Sequence, residues 1–72
     1  MKLPVVSGQQ LRRALEGIGF VFQRQRGSHM IVRRADPYSR VVIPAHKSIR
    51  PGTPRQILHE AGIGVEELID LL

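Results

Sequence analysis

The chain contains no cysteine. That excludes disulfides and thiolate metal sites as staples of the fold. No apolar run approaches the roughly 20 residues that a membrane-spanning helix requires. The opening Met1-Lys2-Leu3-Pro4-Val5-Val6 is too short and too soon interrupted by proline for a signal peptide, so a cytoplasmic location is the expectation. There is no Walker-type phosphate loop, no glycine-rich dinucleotide fingerprint and no internal repeat. No two histidines stand at i, i+4, and acidic residues are scarce where the basic ones are dense, so neither a metal nor a cofactor is expected. No pair of carboxylates is placed for acid–base work.

What is present fits one small domain, residues 1–72. A folded chain of this size buries only about 60% of the surface that its unfolded form exposes. A hydrophobic fraction of 42% suffices for a compact core and is too high for a disordered tail. The charge is uneven. All 11 Lys and Arg residues lie at or before Arg55, against Glu16 and Asp36 only, giving 11 − 2 = +9. From Gln56 onward there are Glu60, Glu66, Glu67 and Asp70 and no Lys or Arg, giving −4. The basic part would attract a polyanion, with nucleic acid the leading candidate. Nine of the 11 cations are arginine, which favours bidentate contacts to phosphate.

The residue pattern predicts the order α-β-β-β-α with a short C-terminal helix, an α+β fold. Ser7 followed three residues later by Gln10 forms a capping-box signature. Leu11, Ala14, Leu15 and Ile18 then recur at helical spacing, and Gly17 and Gly19 supply a left-handed stop. Strands are expected over Phe20–Gln25, Met30–Arg34 and Arg40–Ile43, joined by turns at Gly27-Ser28 and at Ala35–Ser39. Connections this short make the sheet antiparallel. Thr53-Pro54-Arg55-Gln56 opens a second helix, with Thr53 as its cap and Pro54 at its first position. Gly62 closes that helix, and Val65–Leu72 forms a last, acidic one. Two helices then cover one face of a three-stranded sheet and leave the other to solvent or ligand.

The register of the first hairpin is in conflict. A two-residue Gly27-Ser28 turn, with a regular ladder, places Phe20 and Phe22 on the face opposite Met30 and Val32. A three-residue loop or a bulge reunites them. Burial of four large side chains outweighs a turn preference, so the second arrangement is expected. Val21, Gln23, Gln25, His29, Ile31 and Arg33 would then form the other face.

Candidate chemistry centres on His29, just past the Gly27-Ser28 turn on the expected polar face. Imidazole titrates near neutrality, so it can take a proton from a ribose 2′-hydroxyl or give one to a leaving oxygen. Neighbouring cations would stabilise the added negative charge of a phosphoryl transition state. Arg24, Arg26, Arg33 and Lys47 are the phosphate-contact candidates, and Gly27 and Ser28 would leave backbone room for RNA. Ser28 is a poor nucleophile partner for His29, because adjacent strand residues point to opposite faces. His46 is either a second acid–base or substrate group or a loop hydrogen bonder. His59, within the second helix, is a structural or surface residue.

Several blocks together resemble the HicA family of toxins. They are Gly27-Ser28-His29-Met30-Ile31-Val32, then Val42-Ile43-Pro44-Ala45-His46, then Pro51-Gly52-Thr53-Pro54-Arg55-Gln56-Ile57-Leu58 and Ala61-Gly62-Ile63. Each is weak alone, but in this order, behind the Ser7 helix, they span nearly the whole chain. Pro54 departs from the family's usual helix start and is harmless at a first helical position. The resemblance implies a fold like the double-stranded-RNA-binding domain and an endoribonuclease that cuts messenger RNA. It places the catalytic histidine at His29 and implies a HicB-type antitoxin that covers the site. The expected reaction is metal-independent, with no covalent enzyme intermediate. A non-catalytic RNA-binding module of the same fold, or a purely protein-binding subunit, are the alternatives.

Overall fold

The computed structural model describes residues 5–49 and 52–72. Met1–Pro4, Arg50 and Pro51 lie outside the described residues, and with them the N-terminal reading and the first residue of the Pro51–Leu58 block. The order is α1 (Gly8–Glu16), β1 (Val21–Arg26), β2 (His29–Ala35), β3 (Tyr38–Pro44), α2 (Thr53–Ala61) and α3 (Val65–Leu71). The expected α-β-β-β-α order with a C-terminal helix is therefore present.

The first helix starts as its sequence dictates. The Ser7 hydroxyl oxygen accepts from the Gln10 N–H at 3.1 Å, and the Ser7 N–H donates to Gln10 Oε1 at 2.8 Å. These two bonds satisfy backbone donors that a helix start otherwise leaves free. The stop differs from expectation. Gly17 caps the helix in the right-handed region, and Gly19 carries the positive φ of 101°.

The sheet is antiparallel in the order β1-β2-β3. Its first hairpin resolves the register conflict with a two-residue turn and a bulge together. Arg26 faces His29 across the turn, while Phe22 faces Val32 and Arg24 faces Ile31. Two steps along β1 thus match one along β2, and Gln23 is the extra residue. Phe20, Met30 and Val32 are buried and Phe22 packs against the same core, so the four side chains share one face as expected. The opposite face needs correction. Beyond the bulge the parity of β1 reverses, so Arg24 and Arg26 join His29 and Ile31, whereas Gln25 pairs with Met30. Gln25 is the expected occupant that the pairing removes from this face, while Gln23 is exposed and unpaired at the bulge.

All three helices contribute to the core. Leu11, Ala14 and Leu15 of α1, Ile57, Leu58 and Ala61 of α2, and Leu68 of α3 cover Met30, Val32, Val41 and Ile43 of the sheet. No polar side chain among the described residues is buried. The start of α2 also departs from expectation. Its N-cap is Gly52 and no side chain caps it, so the Thr53 hydroxyl is free of that task. Its end is as read: Gly62 is left-handed at φ 79°, and the Ile63 N–H donates to the Leu58 carbonyl at 3.0 Å.

Close packing at one glycine holds α1 against the end of the sheet. The Gly8 N–H donates to the His46 carbonyl at 2.9 Å, and a β-carbon at position 8 would run into the Pro44 carbonyl oxygen. Backbone on both sides leaves little room to relax. Gly8→Ala is expected to lower stability by about 1–3 kcal/mol. Urea unfolding of the two proteins checks this, and an unchanged midpoint would contradict the packing described.

Candidate functional site

Residues opposed across an antiparallel ladder carry their side chains on the same side of the sheet. The pairings therefore define three rows on the face away from the helices. Arg26, His29 and Pro44 form the first, Arg24, Ile31 and Val42 the second, and Val21, Arg33 and Arg40 the third. Successive rows are about 6.7 Å apart along the strands. Four arginines and His29 thus share one surface, with an aliphatic strip between them. Ile31 is only 4% exposed yet stands outside the core cluster, at the centre of this face. Long arginine stems beside it cover apolar surface while their charged ends stay in water.

His29 is exposed and opens β2 directly after a turn whose shape depends on glycine. Gly27 has φ 58°, in the left-handed region, and no atom would lie near an added β-carbon. The Gln25 side-chain amide donates to the Gly27 carbonyl at 2.9 Å. On the other side, the Ala45 N–H donates to the Ser28 carbonyl at 2.7 Å. The segment leading to His46 is thereby held beside the turn that presents His29.

The structure separates the expected site residues into two groups. Arg24, Arg26, Arg33 and His29 lie on one face, with Arg26 in the histidine's own row and Arg33 two rows away. His46 and Lys47 instead line a hollow of about 270 Å³ with Ser7, Gln9 and Ala45, at the start of α1. His46 also borders a second hollow of about 430 Å³, shared with Pro44 and Thr53. Pro44 and Thr53 in turn line a groove of about 590 Å³ that contains His29. The two histidines therefore open onto neighbouring hollows that share Pro44 and Thr53.

That groove brings in residues the sequence reading passed over. Arg40 and Val42 of β3 form one wall, and Thr53, Gln56 and Glu60 of α2 form the other, with the buried Ile57 between. Arg40 was legible in principle, because inward Val41 and Ile43 force Arg40 and Val42 outward. Thr53, Gln56 and Glu60 follow i, i+3, i+7 spacing, one stripe of a helix, but nothing in their chemistry marked it as facing His29.

Not every arginine belongs to this face. The Arg34 guanidinium donates to the Pro37 carbonyl at 3.0 Å and the Ala61 carbonyl at 3.3 Å, and lies 4.7 Å from the Phe20 ring centre. Arg12 lies 4.1 Å from the Phe22 ring centre and pairs with Glu16 at 3.3 Å, the only ion pair among the described residues. These two cations cover the edges of the core. Also among the described residues, no group of three or more His, Asp or Glu is arranged to hold a metal ion, and no helix is long and apolar enough to cross a membrane.

Together these features define a class: a small α+β domain with helices on one face of a three-stranded antiparallel sheet and an arginine-rich opposite face carrying a histidine. Residues 8–63 match the family described as the HicA toxin of bacterial toxin–antitoxin systems. The match runs from the start of α1 past the end of α2, and the chain belongs to the HicA toxin family. No curated protein matches the chain.

The division of the arginines is testable by stability alone. Arg34→Ala removes charge-assisted bonds to two carbonyls and is expected to cost about 1–2 kcal/mol. Arg26→Ala, on the open face, is expected to stay within about 0.5 kcal/mol of the parent. Urea unfolding measures both, and equal effects would contradict the assignment.

Proposed function

We propose that this toxin is a metal-independent endoribonuclease that cuts messenger RNA, with His29 as its acid–base group. The observation that carries the proposal is the placement of His29 on an arginine-rich face, beside a groove and past a glycine turn that leaves its approach open. Family membership supports the toxin role.

The reaction that these residues can serve is attack by a ribose 2′-oxygen on the adjacent phosphorus. As the new O2′–P bond forms, the P–O5′ bond breaks. The 2′-hydroxyl proton leaves to a base, and the departing 5′-oxygen gains a proton from an acid. His29 performs one of these transfers, as neutral imidazole for the first or imidazolium for the second. The products are a 2′,3′-cyclic phosphate and a 5′-hydroxyl, with no bond formed to the protein. Arg26, in the histidine's row, and Arg24, in the next, supply positive charge where the phosphorane oxygens become more negative. Arg33, His46 and Lys47 contact RNA further out, and the Gly27-Ser28 turn gives the strand space. A HicB-type antitoxin, made in the same cytoplasm, binds over this face and competes with RNA.

His29→Ala is expected to reduce cleavage of single-stranded RNA by about 10²–10⁴-fold. Growth arrest should be lost with it, and circular dichroism should stay unchanged, since His29 is exposed. Addition of a chelator should leave wild-type cleavage intact. Undiminished cleavage by the variant would remove His29 from the mechanism. RNA binding without fragments from the wild type would make the protein an RNA-binding module instead. Binding itself should weaken steeply with salt, because arginine–phosphate contacts release counterions. Coexpression with the product of the neighbouring antitoxin gene should suppress cleavage, and failure to form a complex would count against the partner assigned.

A further inference from the structure

The groove beside His29 has a chemistry that phosphate binding does not explain. Its β3 wall is the aliphatic Val42 and Pro44 with Arg40 at the far end, and its α2 wall carries the exposed Gln56 and Glu60. A carboxylate repels phosphate, so Glu60 is out of place in a groove meant only for a sugar–phosphate chain. It has no ion-pair partner among the described residues, Arg40 included.

Glu60 is also badly placed to share acid–base work with His29. The helix runs alongside β3 in the opposite sense. Thr53 borders the groove near Pro44, while the Glu60 carbonyl accepts from the Ser39 hydroxyl at 2.8 Å. His29 pairs with Pro44, at the Thr53 end. Glu60 is seven helical steps beyond Thr53, a rise of about 10 Å. Pro44 and Arg40 are four strand residues apart, about 13 Å. One phosphodiester cannot bridge that span, but the next nucleotide along the strand can.

Resting on the ribonuclease reading, we infer that the groove between β3 and α2 is a base-recognition subsite for a nucleotide flanking the cut, selective for bases with an exocyclic amine. The base lies flat on Val42 and Pro44, whose aliphatic surfaces exclude water from one of its faces. Its edge points to α2. The Gln56 carboxamide both donates and accepts, and the Glu60 carboxylate only accepts. An exocyclic NH₂ on adenine, cytosine or guanine supplies the donor that Glu60 requires. Uracil offers a single N3–H between two carbonyl oxygens, and those oxygens would face the carboxylate unfavourably. Arg40, at the Glu60 end of the groove, is left for the phosphate on the other side of this nucleotide. The Thr53 hydroxyl, unused as a helix cap, adds a second donor at the His29 end.

The test maps cleavage sites on a pool of single-stranded RNAs randomised around a central segment, using wild type, Glu60→Gln, Gln56→Ala and His29→Ala. Both groove variants replace exposed side chains, and circular dichroism confirms their fold. Wild type should disfavour uracil at one fixed position beside the cut by about tenfold. Glu60→Gln should erase most of that discrimination while still cleaving, because a carboxamide can donate to uracil's oxygens. Gln56→Ala should weaken it. Wild-type cutting that tolerates uracil at every flanking position, or an unchanged preference in Glu60→Gln, would overturn the subsite and leave the ribonuclease reading standing. Absence of His29-dependent cleavage on any RNA would overturn the ribonuclease reading, and the subsite with it.

Discussion

One extra residue in β1 determines what each side of this sheet is. With Gln23 bulged out, Phe20 and Phe22 before it and Met30 and Val32 of β2 face the helices together. Phe20, Met30 and Val32 leave water on that side, each contributing about 1.5–3 kcal/mol relative to exposure, and the half-buried Phe22 packs against them. The same residue reverses the alternation for the rest of the strand. Arg24 and Arg26 therefore stand beside His29 instead of flanking the core. In a chain without disulfides, core formation and assembly of the basic face are consequences of one register.

The charge surplus of the sequence is divided by that geometry. Arg12 and Arg34 lie over the rings of Phe22 and Phe20, and Arg34 also ties the second hairpin to the end of α2. Arg24, Arg26, Arg33 and Arg40 remain on the opposite surface with His29. The acidic C-terminal part is divided as well. Glu67 accepts from the Gly64 N–H at 3.3 Å and so helps to start α3, whose Leu68 enters the core. Glu60 alone among these acids lines the groove with His29.

Local signals were legible where local chemistry controls the outcome. Ser7 and Gln10 formed the capping box their spacing announced, and Gly62 took the left-handed conformation that ends α2. Thr53 looked like a cap of the same quality, yet Gly52 took that place. The identity of a cap depends on where tertiary packing starts the helix, and Pro54, buried beneath, fits its second position as well as its first. The need for a bulge was readable from the clash between turn and hydrophobic pattern. Its position at Gln23 was not, because two or three places on β1 satisfy the same burial, and each assigns different residues to the outer face. Arg40 could have been found by alternation, whereas the approach of Gln56 and Glu60 to β3 depends on how α2 packs, which no short segment records. The role of Gly8 arises only from contact with Pro44, 36 positions away in the chain.

The central claim is that this face directs a ribose 2′-oxygen onto its own phosphodiester, with His29 handling a proton. The chemistry of the fragment ends tests it most directly. Mass spectrometry of oligonucleotides released by the purified toxin should find a 2′,3′-cyclic phosphate, or the monophosphate from its opening, on one side of each cut and a 5′-hydroxyl on the other. A single 2′-deoxy substitution at the cut site should prevent cleavage there. Fragments bearing 5′-phosphates, or cutting that ignores the missing 2′-hydroxyl, would contradict the account.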